Sequence, residues 1–515
     1  MKSLLVPGLV ALGILLLLCS TVPAAEETVD ELIIADSTGD WGYPSPYAHY
    51  SRGPGYIRMS LIFDTLIWKD EAGFVPALAE DWEYLEDENA YVFNLRNDVN
   101  WNDAEPFSAE DVVFSFDYIT EHPYQWVDSS IVDEVVALDE NTVKIILNRP
   151  YAPFLDQVAG TLPILPKHVY QDVSDPEGFQ EASALTGTGP FKLLDYDKAQ
   201  GTYLYEANED YYQGSPRVKQ LKFVKVSNEM APAALEKGDV DAATLQGDMV
   251  SDAKSKGFNV IKGSHEWNAK LMINHQKEPL SDEKLRQALT YAIDRQALVN
   301  TFLRGFGLPG SPGLFASDNQ WYNPDQEQYA YDPSKAGTFL EELGYSKDGQ
   351  YYSKDGQDLE LELLVTSINE RAGEQIKQQL EDAGIKVDLR SVDAKTLDSL
   401  VGEWEFDLAL SGHGGLGGDP NILNKVITGE GFNSARYTED SELNEVLDEQ
   451  IAEMDPDRRK ELVFEAQSIY ALDMPALSLY YTDSFWAFND KVDFYFTEGG
   501  VGSGVPIAIN KMSLV

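Results

Sequence analysis

Cysteine is almost missing from this 515-residue chain: Cys19 is the only one, which excludes an internal disulfide and a cysteine-rich metal site. Histidine is scarce as well. The six copies (His49, His122, His168, His265, His275 and His413) are scattered, and no two lie at the helical spacing that zinc sites favour. Basic residues are thin, with 39 Lys+Arg against 87 Asp+Glu and a net charge of −48. Such a surface repels phosphate, so nucleic acid is excluded as a general partner. Beyond the N-terminus no stretch reaches the roughly 18 apolar residues of a membrane span, and the mature chain is expected to be soluble. Signature motifs of catalysis are wanting too: there is no P-loop, no G-x-S-x-G elbow and no H-E-x-x-H.

What is present begins with an export signal over 1–25. Lys2 supplies the positive start, residues 9–18 the apolar run, and Val22-Pro-Ala-Ala25 the small residues for cleavage. Two readings of Cys19 stand open. It follows a leucine run and offers a lipid anchor, or it is a plain residue of the signal, since Leu18 occupies a place where lipoprotein signals carry Gly or Ala. The acidity also admits two readings: a negative field that attracts cationic solutes, or a halophilic surface kept soluble by carboxylates in a salty medium, where screening shortens repulsion to about 3 Å at molar salt. The acids are spread along the whole chain, which favours the second.

The length implies two or three structural units, and 43% apolar residues supply their cores. Alternation predicts strands at 32–35, 90–95, 142–147, 218–226, 240–245, 359–365, 385–389 and 404–410. Helices are expected after Ser108, across 228–237, from Ser281, from Asp332-Pro333 to Gly344, and over 370–383. Two Asp-Gly turns in 345–358 signal a local hairpin. Residues 39–56 read as a long loop rich in Gly, Pro and Tyr, and loops of that kind tend to be functional. The pattern is α/β, more strand-rich in the first half, without a flexible linker. Gly412-His-Gly-Gly-Leu-Gly417 matches G-x-G-x-x-G, but Asp419-Pro420 interrupts it and no βαβ unit is completed. Carboxylate pairs are too abundant to single out a glycosidase dyad.

A set of segments in order then resembles one family. Val75-Pro-Ala-Leu-Ala-Glu-Asp-Trp82 is followed by Ala90-Tyr-Val-Phe-Asn-Leu-Arg96, Val99-Asn-Trp-Asn102 and Pro106-Phe-Ser-Ala-Glu-Asp-Val-Val113. Gly187-Thr-Gly-Pro-Phe191, Ala234-Leu-Glu-Lys-Gly-Asp-Val-Asp241, residues 274–279, Arg286-Gln-Ala-Leu-Thr-Tyr-Ala-Ile-Asp-Arg295 and Tyr331-Asp-Pro-Ser-Lys-Ala336 continue it. The chain is similar to the family 5 extracellular solute-binding proteins, the oligopeptide, dipeptide and nickel receptors of ABC importers.

The resemblance implies a type II periplasmic-binding-protein fold hinged by crossing strands. One discontinuous lobe would comprise 26–68, 169–267 and 474–515, an inserted domain 69–168, and the second lobe 268–473. It implies an exported, periplasmic or cell-surface receptor rather than an enzyme. Such a receptor needs no cofactor or resident metal, binds a small solute and docks on permease subunits. Aromatic walls suit such a cleft. The candidates are Trp41, Tyr43, Tyr47 and Tyr56 with Arg52 in the early loop, Trp267 near the hinge, and Trp404, Tyr480, Tyr481 and Trp486. In the family's peptide receptors an Asp three residues before an acid-Pro pair holds the ligand's α-amino group. That position is Leu416 here, so a free N-terminus lacks its usual partner unless Asp419 or a shift of the loop substitutes. The nickel branch carries a histidine just after Asp-Pro, where this chain has Asn421; His413 is the nearby alternative. A peptide or related solute is therefore the leading expectation. A nickel or other metal chelate and a secreted carboxylate-dependent hydrolase are the alternatives.

Overall fold

The computed structural model describes residues 28–501, 504 and 509–515, so the expected signal segment and Cys19 lie outside the described residues. Two large sheets organise the chain. The first has seven strands in the order Asn259–Lys262, Phe485–Phe488, Ala242–Leu245, Val29–Asp36, Val218–Lys225, Thr202–Ala207 and Phe191–Asp197. Val29–Asp36 runs parallel to Val218–Lys225 with Leu32 opposite Leu221 and Ile34 opposite Phe223, and these residues head its core with Tyr203 and Tyr205. The second sheet has six strands, in the order Gly307–Pro309, Ala476–Thr482, Asn268–Ile273, Leu408–His413, Glu360–Thr366 and Lys386–Val392. Alternation along Asn268–Ile273 sends Leu271 and Ile273 into one core and Met272 into another, so both faces of this sheet are covered. A separate four-stranded sheet (Ala79–Leu85, Ala90–Leu95, Thr142–Leu147 and Val132–Asp139) packs its own core around Phe93, Trp101, Val143 and Phe154. No helix among the described residues is long and apolar enough to cross a membrane.

Local chemistry places most of these elements. Asp282 accepts a hydrogen bond from the Lys284 amide and starts the helix Glu283–Ala292, one residue beyond the expected Ser281. Asp332 likewise accepts from Ser334 and Lys335 ahead of Pro333–Glu342. The Ser108 amide donates to Asp111 at 3.0 Å before Ala109–Glu121. Two expectations shift. The early loop ends sooner than expected, because Pro54 at the first turn opens a helix over Gly53–Ser60. The strand expected from Trp404 begins at Leu408 instead: Trp404 sits at φ +60 just past the helix Ala394–Gly402, a backbone that no strand accepts. Of the two Asp-Gly turns, Asp355-Gly356 makes the hairpin of Ser353–Lys354 and Gln357–Asp358.

The chain passes between the two large sheets twice, at residues 263–267 and 483–484. A charged chain of side chains ties the crossings together. Asp483 receives Lys262 at 2.8 Å and the Nε2 of His265 at 2.6 Å, and the Nδ1 of His265 lies 2.6 Å from Asp318. Gly263 also donates its amide to the Ser484 carbonyl at 2.9 Å. Burial pulls the His265 pKa down, but the two carboxylates outweigh it and leave the ring raised above its ordinary value. The C-terminus is pinned separately. Lys511, fully enclosed, donates to Asp64 and the Ser60 carbonyl and lies 4.1 Å from the Trp68 ring centroid, while Thr188 and Tyr211 complete the shell of Asp64.

Two outcomes follow from these pairs. Because His265 is raised on folding, its contribution is whole below its unfolded pKa and disappears as pH climbs through the folded value. A His265→Gln protein is therefore expected to lack about 1–2 kcal/mol at pH 6 and to converge on wild type by pH 9, read from denaturant midpoints. Parallel pH profiles would show that the network does not titrate. Lys511→Met strands the Asp64 carboxylate in the core and is expected to cost about 3–5 kcal/mol in urea unfolding.

Candidate functional site

The first crossing borders a small pocket through Ser264, His265 and Glu266, and the second borders a larger cavity through Ser484, which the first sheet lines with the end of Val29–Asp36 and Trp41 of the loop that follows. Asp36, at the end of that strand, accepts from the Thr38 amide at 2.8 Å, from Trp41 Nε1 at 2.7 Å and from Arg58. The Trp41 amide donates to the Tyr203 hydroxyl at 2.7 Å, so the early loop is fastened at both ends of this residue. Arg58 lies 3.6 Å from the centroid of Phe223, which holds its guanidinium flat against the sheet. Around this pair lies a cavity of about 250 Å³, lined by Trp41, Ile57, Phe223, Ser484, Trp486 and Phe496 among others. Aromatic walls with one acid–base pair are the kind of lining that small-molecule sites use.

The second lobe contributes the glycine-rich loop 412–418 after Leu408–His413. The two lobes touch there. A Cβ on Gly499 would lie 2.5 Å from the Gly417 carbonyl, and Gly499 itself holds φ +73. Next to this contact is a smaller pocket of about 20 Å³ formed by Ser264, His265, Glu266, Asp318, Asn319, Gln320, Gly417, Glu498 and Gly499. The inserted domain reaches the second lobe as well: the Ala152 amide donates to Ile451 at 2.8 Å and Lys425 Nζ to Gln157 at 3.1 Å.

The expected site residues divide into three groups. Trp41 and Trp486, from opposite ends of the chain, meet at the larger cavity. Outside that lining, Tyr43 donates to the Glu181 carbonyl at 3.2 Å and packs edge-on to Tyr196, and Tyr47 donates to the His122 carbonyl at 2.8 Å. Trp267 is 52% exposed and its indole lies against Gly412 and Gly414, while Arg52 is exposed and bonds only its neighbour Ser51.

The second group is core. Tyr56 is enclosed by His49 and Trp126 and donates to the Thr161 carbonyl, and Tyr480 packs on Phe302. Tyr481 donates to the Leu314 carbonyl at 2.5 Å, and Leu416 sits in the apolar cluster with Met272 and Phe406. Trp404 stands at the far end of its sheet from the crossings, sandwiched by Arg436 and Phe406.

The third group is the seam. Asp419 is clamped by Arg459 through two bonds of 2.6 and 2.7 Å, which leaves no free charge for a ligand amine. The Asn421 side chain donates to the Tyr151 hydroxyl at 3.4 Å. His413 is buried, with its Nε2 unpartnered and its pKa held well below the ordinary value by burial and by neighbouring Lys270.

Some residues escaped the sequence reading. Asp36 and Arg58 carry no motif. Lys270 is wholly buried, donates to the Asn433 carbonyl, and is pulled down to about 7 by desolvation; its place on an alternating strand was the only signal. Glu266 is one acid among 87. Among the described residues no cluster of three or more His, Cys, Asp and Glu could hold a metal ion.

The family model "Bacterial extracellular solute-binding proteins, family 5 Middle" matches residues 73–434. A dipeptide-binding protein of Escherichia coli is 28% identical over 451 residues, covering 82% of this chain and 83% of that protein. Heme-binding protein A of Haemophilus influenzae is 27% identical over 471 residues, covering 83% and 82%. Among solved structures, NikA of Brucella suis in complex with Fe(III)-EDTA superposes with a TM-score of 0.80 at 20% identity, over 93% of this chain and 99% of the other. NikZ of Campylobacter jejuni in complex with Ni(L-His) gives 0.74 at 25% identity over 92% and 97%. With the two crossings, the inserted sheet and the lined cleft, the match over most of its length makes this chain a member of the family 5 extracellular solute-binding proteins.

Proposed function

We propose that the protein is the extracytoplasmic receptor of an ABC importer and that it encloses a small peptide-like solute between its lobes. The observation that carries this reading is the cavity beside the second crossing, whose lining brings together Trp41, Trp486 and the Asp36–Arg58 pair. A ligand touching that wall and the 412–418 loop together gains contacts only when the lobes are shut, and this differential affinity drives closure. The segments 26–68, 169–267 and 474–515 are assigned to one lobe, 69–168 to the inserted domain and 268–473 to the other lobe. Strand membership supports this assignment except at two cuts: the first falls inside Ile67–Asp70, and Ala476–Thr482 pairs in the second sheet, which moves the last boundary to the crossing at 483–484. The N-terminal signal pattern supports export, and the dispersed acidity supports a salty medium. The comparisons lend nothing to a secreted hydrolase, and Asp419, the acid of the Asp-Pro pair, is engaged by Arg459.

A second reading, a metal chelate as cargo, has one observation in its favour. The buried His413 ring is held neutral, the form that ligates, and its Nε2 has no partner.

Trp486→Ala is expected to weaken binding of a dipeptide pool by about 5- to 150-fold in calorimetry, since about 1–3 kcal/mol of aromatic contact is removed. The solute should be recovered chemically intact afterwards. Titration with nickel–L-histidine separates the second reading: binding that is lost in His413→Ala supports it, and heat-silent titration of both proteins removes it.

A further inference from the structure

Leucine at 416 leaves the family's amine-holding position without a charge, and Asp419 is already neutralised by Arg459. A third acid stands beside both. Glu266 lies on the first crossing, and its backbone carbonyl accepts the Leu416 amide at 3.4 Å. A Cβ on Gly417 would come within 2.4 Å of the Glu266 carboxylate, so that carboxylate is seated directly under the loop, and glycine at 417 is what gives it room. Glu266 is 4% exposed. One oxygen accepts from the Ser264 hydroxyl at 2.9 Å; the other, Oε2, has no partner. Ser264 and Glu266 both belong to the wall of the 20 Å³ pocket between the lobes, which is the volume of a single water-sized group. Phe496 lines the larger cavity and Glu498 the smaller, so one short stretch of the C-terminal tail borders both.

We propose that Glu266 receives a cationic ammonium group of the ligand in this pocket, in place of the carboxylate that residue 416 does not supply. This rests on the receptor reading above and narrows its cargo to solutes that carry an ammonium group. An unpartnered carboxylate oxygen in an enclosed site is costly, and an N–H donor from a cation removes that cost while the lobes shut around it. Specificity follows from the same imbalance: a solute lacking the donor leaves Oε2 bare.

The charges facing the group set its pH response. Burial is the main influence and pushes the Glu266 carboxyl up to about 7; Glu498 adds to this, while the Ser264 hydroxyl and Lys69 oppose it. His265 and Asp318, paired with one another, complete the surroundings. Because an ammonium binds the ionised carboxylate, affinity should be flat above pH 8 and should fall as the group protonates, approaching tenfold per unit well below pH 7.

The test uses the mature protein, a mixed dipeptide pool and the same pool N-acetylated, read by native mass spectrometry and calorimetry at pH 8 and pH 6. Wild type is expected to retain the free-amine pool at pH 8, to bind the acetylated pool at least tenfold more weakly, and to weaken toward pH 6. Glu266→Gln, which preserves volume and the Ser264 contact, should lose at least tenfold at pH 8 and all pH dependence. Glu266→Asp, retaining charge on a shorter stem, should recover part of the loss; equal thermal melts of the three proteins separate a binding defect from a folding one. Equal retention of both pools, or undiminished binding by Glu266→Gln, overturns the role of Glu266 and leaves the receptor reading standing. So does tight binding of a sugar or a metal chelate without an ammonium. Failure of wild type to bind any of these solutes overturns both.

Discussion

A charge withdrawn from water needs an opposite charge or a set of hydrogen bonds, and in this molecule that requirement determines which side chains can serve a ligand. Most enclosed acids are answered within the protein. Asp64 has Lys511, Asp419 has Arg459, Asp241 has Lys491, and Asp156 lies 3.6 Å from Lys69. These pairs draw distant parts of the chain together: the tail to the segment just after the first helix, the residue following the glycine-rich loop to the long helix Pro456–Asp473, and Asp156 to the strand Ile67–Asp70. The carboxylates left with a bare oxygen among the described residues are those of Glu266 and Asp473. Asp473 ends a helix beside Arg286 and Tyr437, away from the crossings. Glu266 stands in the hinge itself.

The hinge joins two kinds of rigidity. Each lobe is a sheet covered by apolar side chains, and neither can bend without opening a core. Residues 263–267 and 483–484 carry no core of their own and are braced by hydrogen bonds and ion pairs. On the proposed receptor reading, motion would be concentrated where polar contacts can be exchanged at low cost, and a solute touching both lobes would bias that exchange. The cavity wall on the first lobe needs little adjustment, because Asp36 fastens Trp41 and Arg58 before any solute arrives.

The fold was legible in the sequence wherever local signals agreed. Alternation marked 90–95 and 142–147, and Asp332-Pro333 marked a helix start, because such elements are decided by nearest neighbours. Boundaries failed where one residue's backbone overrode the pattern, as at Trp404. The candidate site was legible in part. The loss of an acid at 416 could be seen from spacing to Asp419-Pro420, and Trp41 and Trp486 could be named as aromatic candidates. Their convergence on one cavity could not be seen, since strand Phe485–Phe488 is inserted between two strands made far earlier in the chain. Tyr56 and Tyr480 were indistinguishable from wall residues until burial placed them in cores. Glu266 was invisible for a statistical reason: acids so abundant offer no contrast, and only enclosure separates one from another.

That inserted strand has a consequence for biogenesis. Phe485–Phe488 lies between Asn259–Lys262 and Ala242–Leu245, and Lys511 pairs with the buried Asp64 beside Trp68. The first sheet therefore stays incomplete until nearly the last residue has been made, while the four-stranded sheet of 79–147 can close early from local pairings. During that interval the first sheet exposes open strand edges, and the chain's net charge of −48 is a defence against sticking to a neighbouring nascent chain.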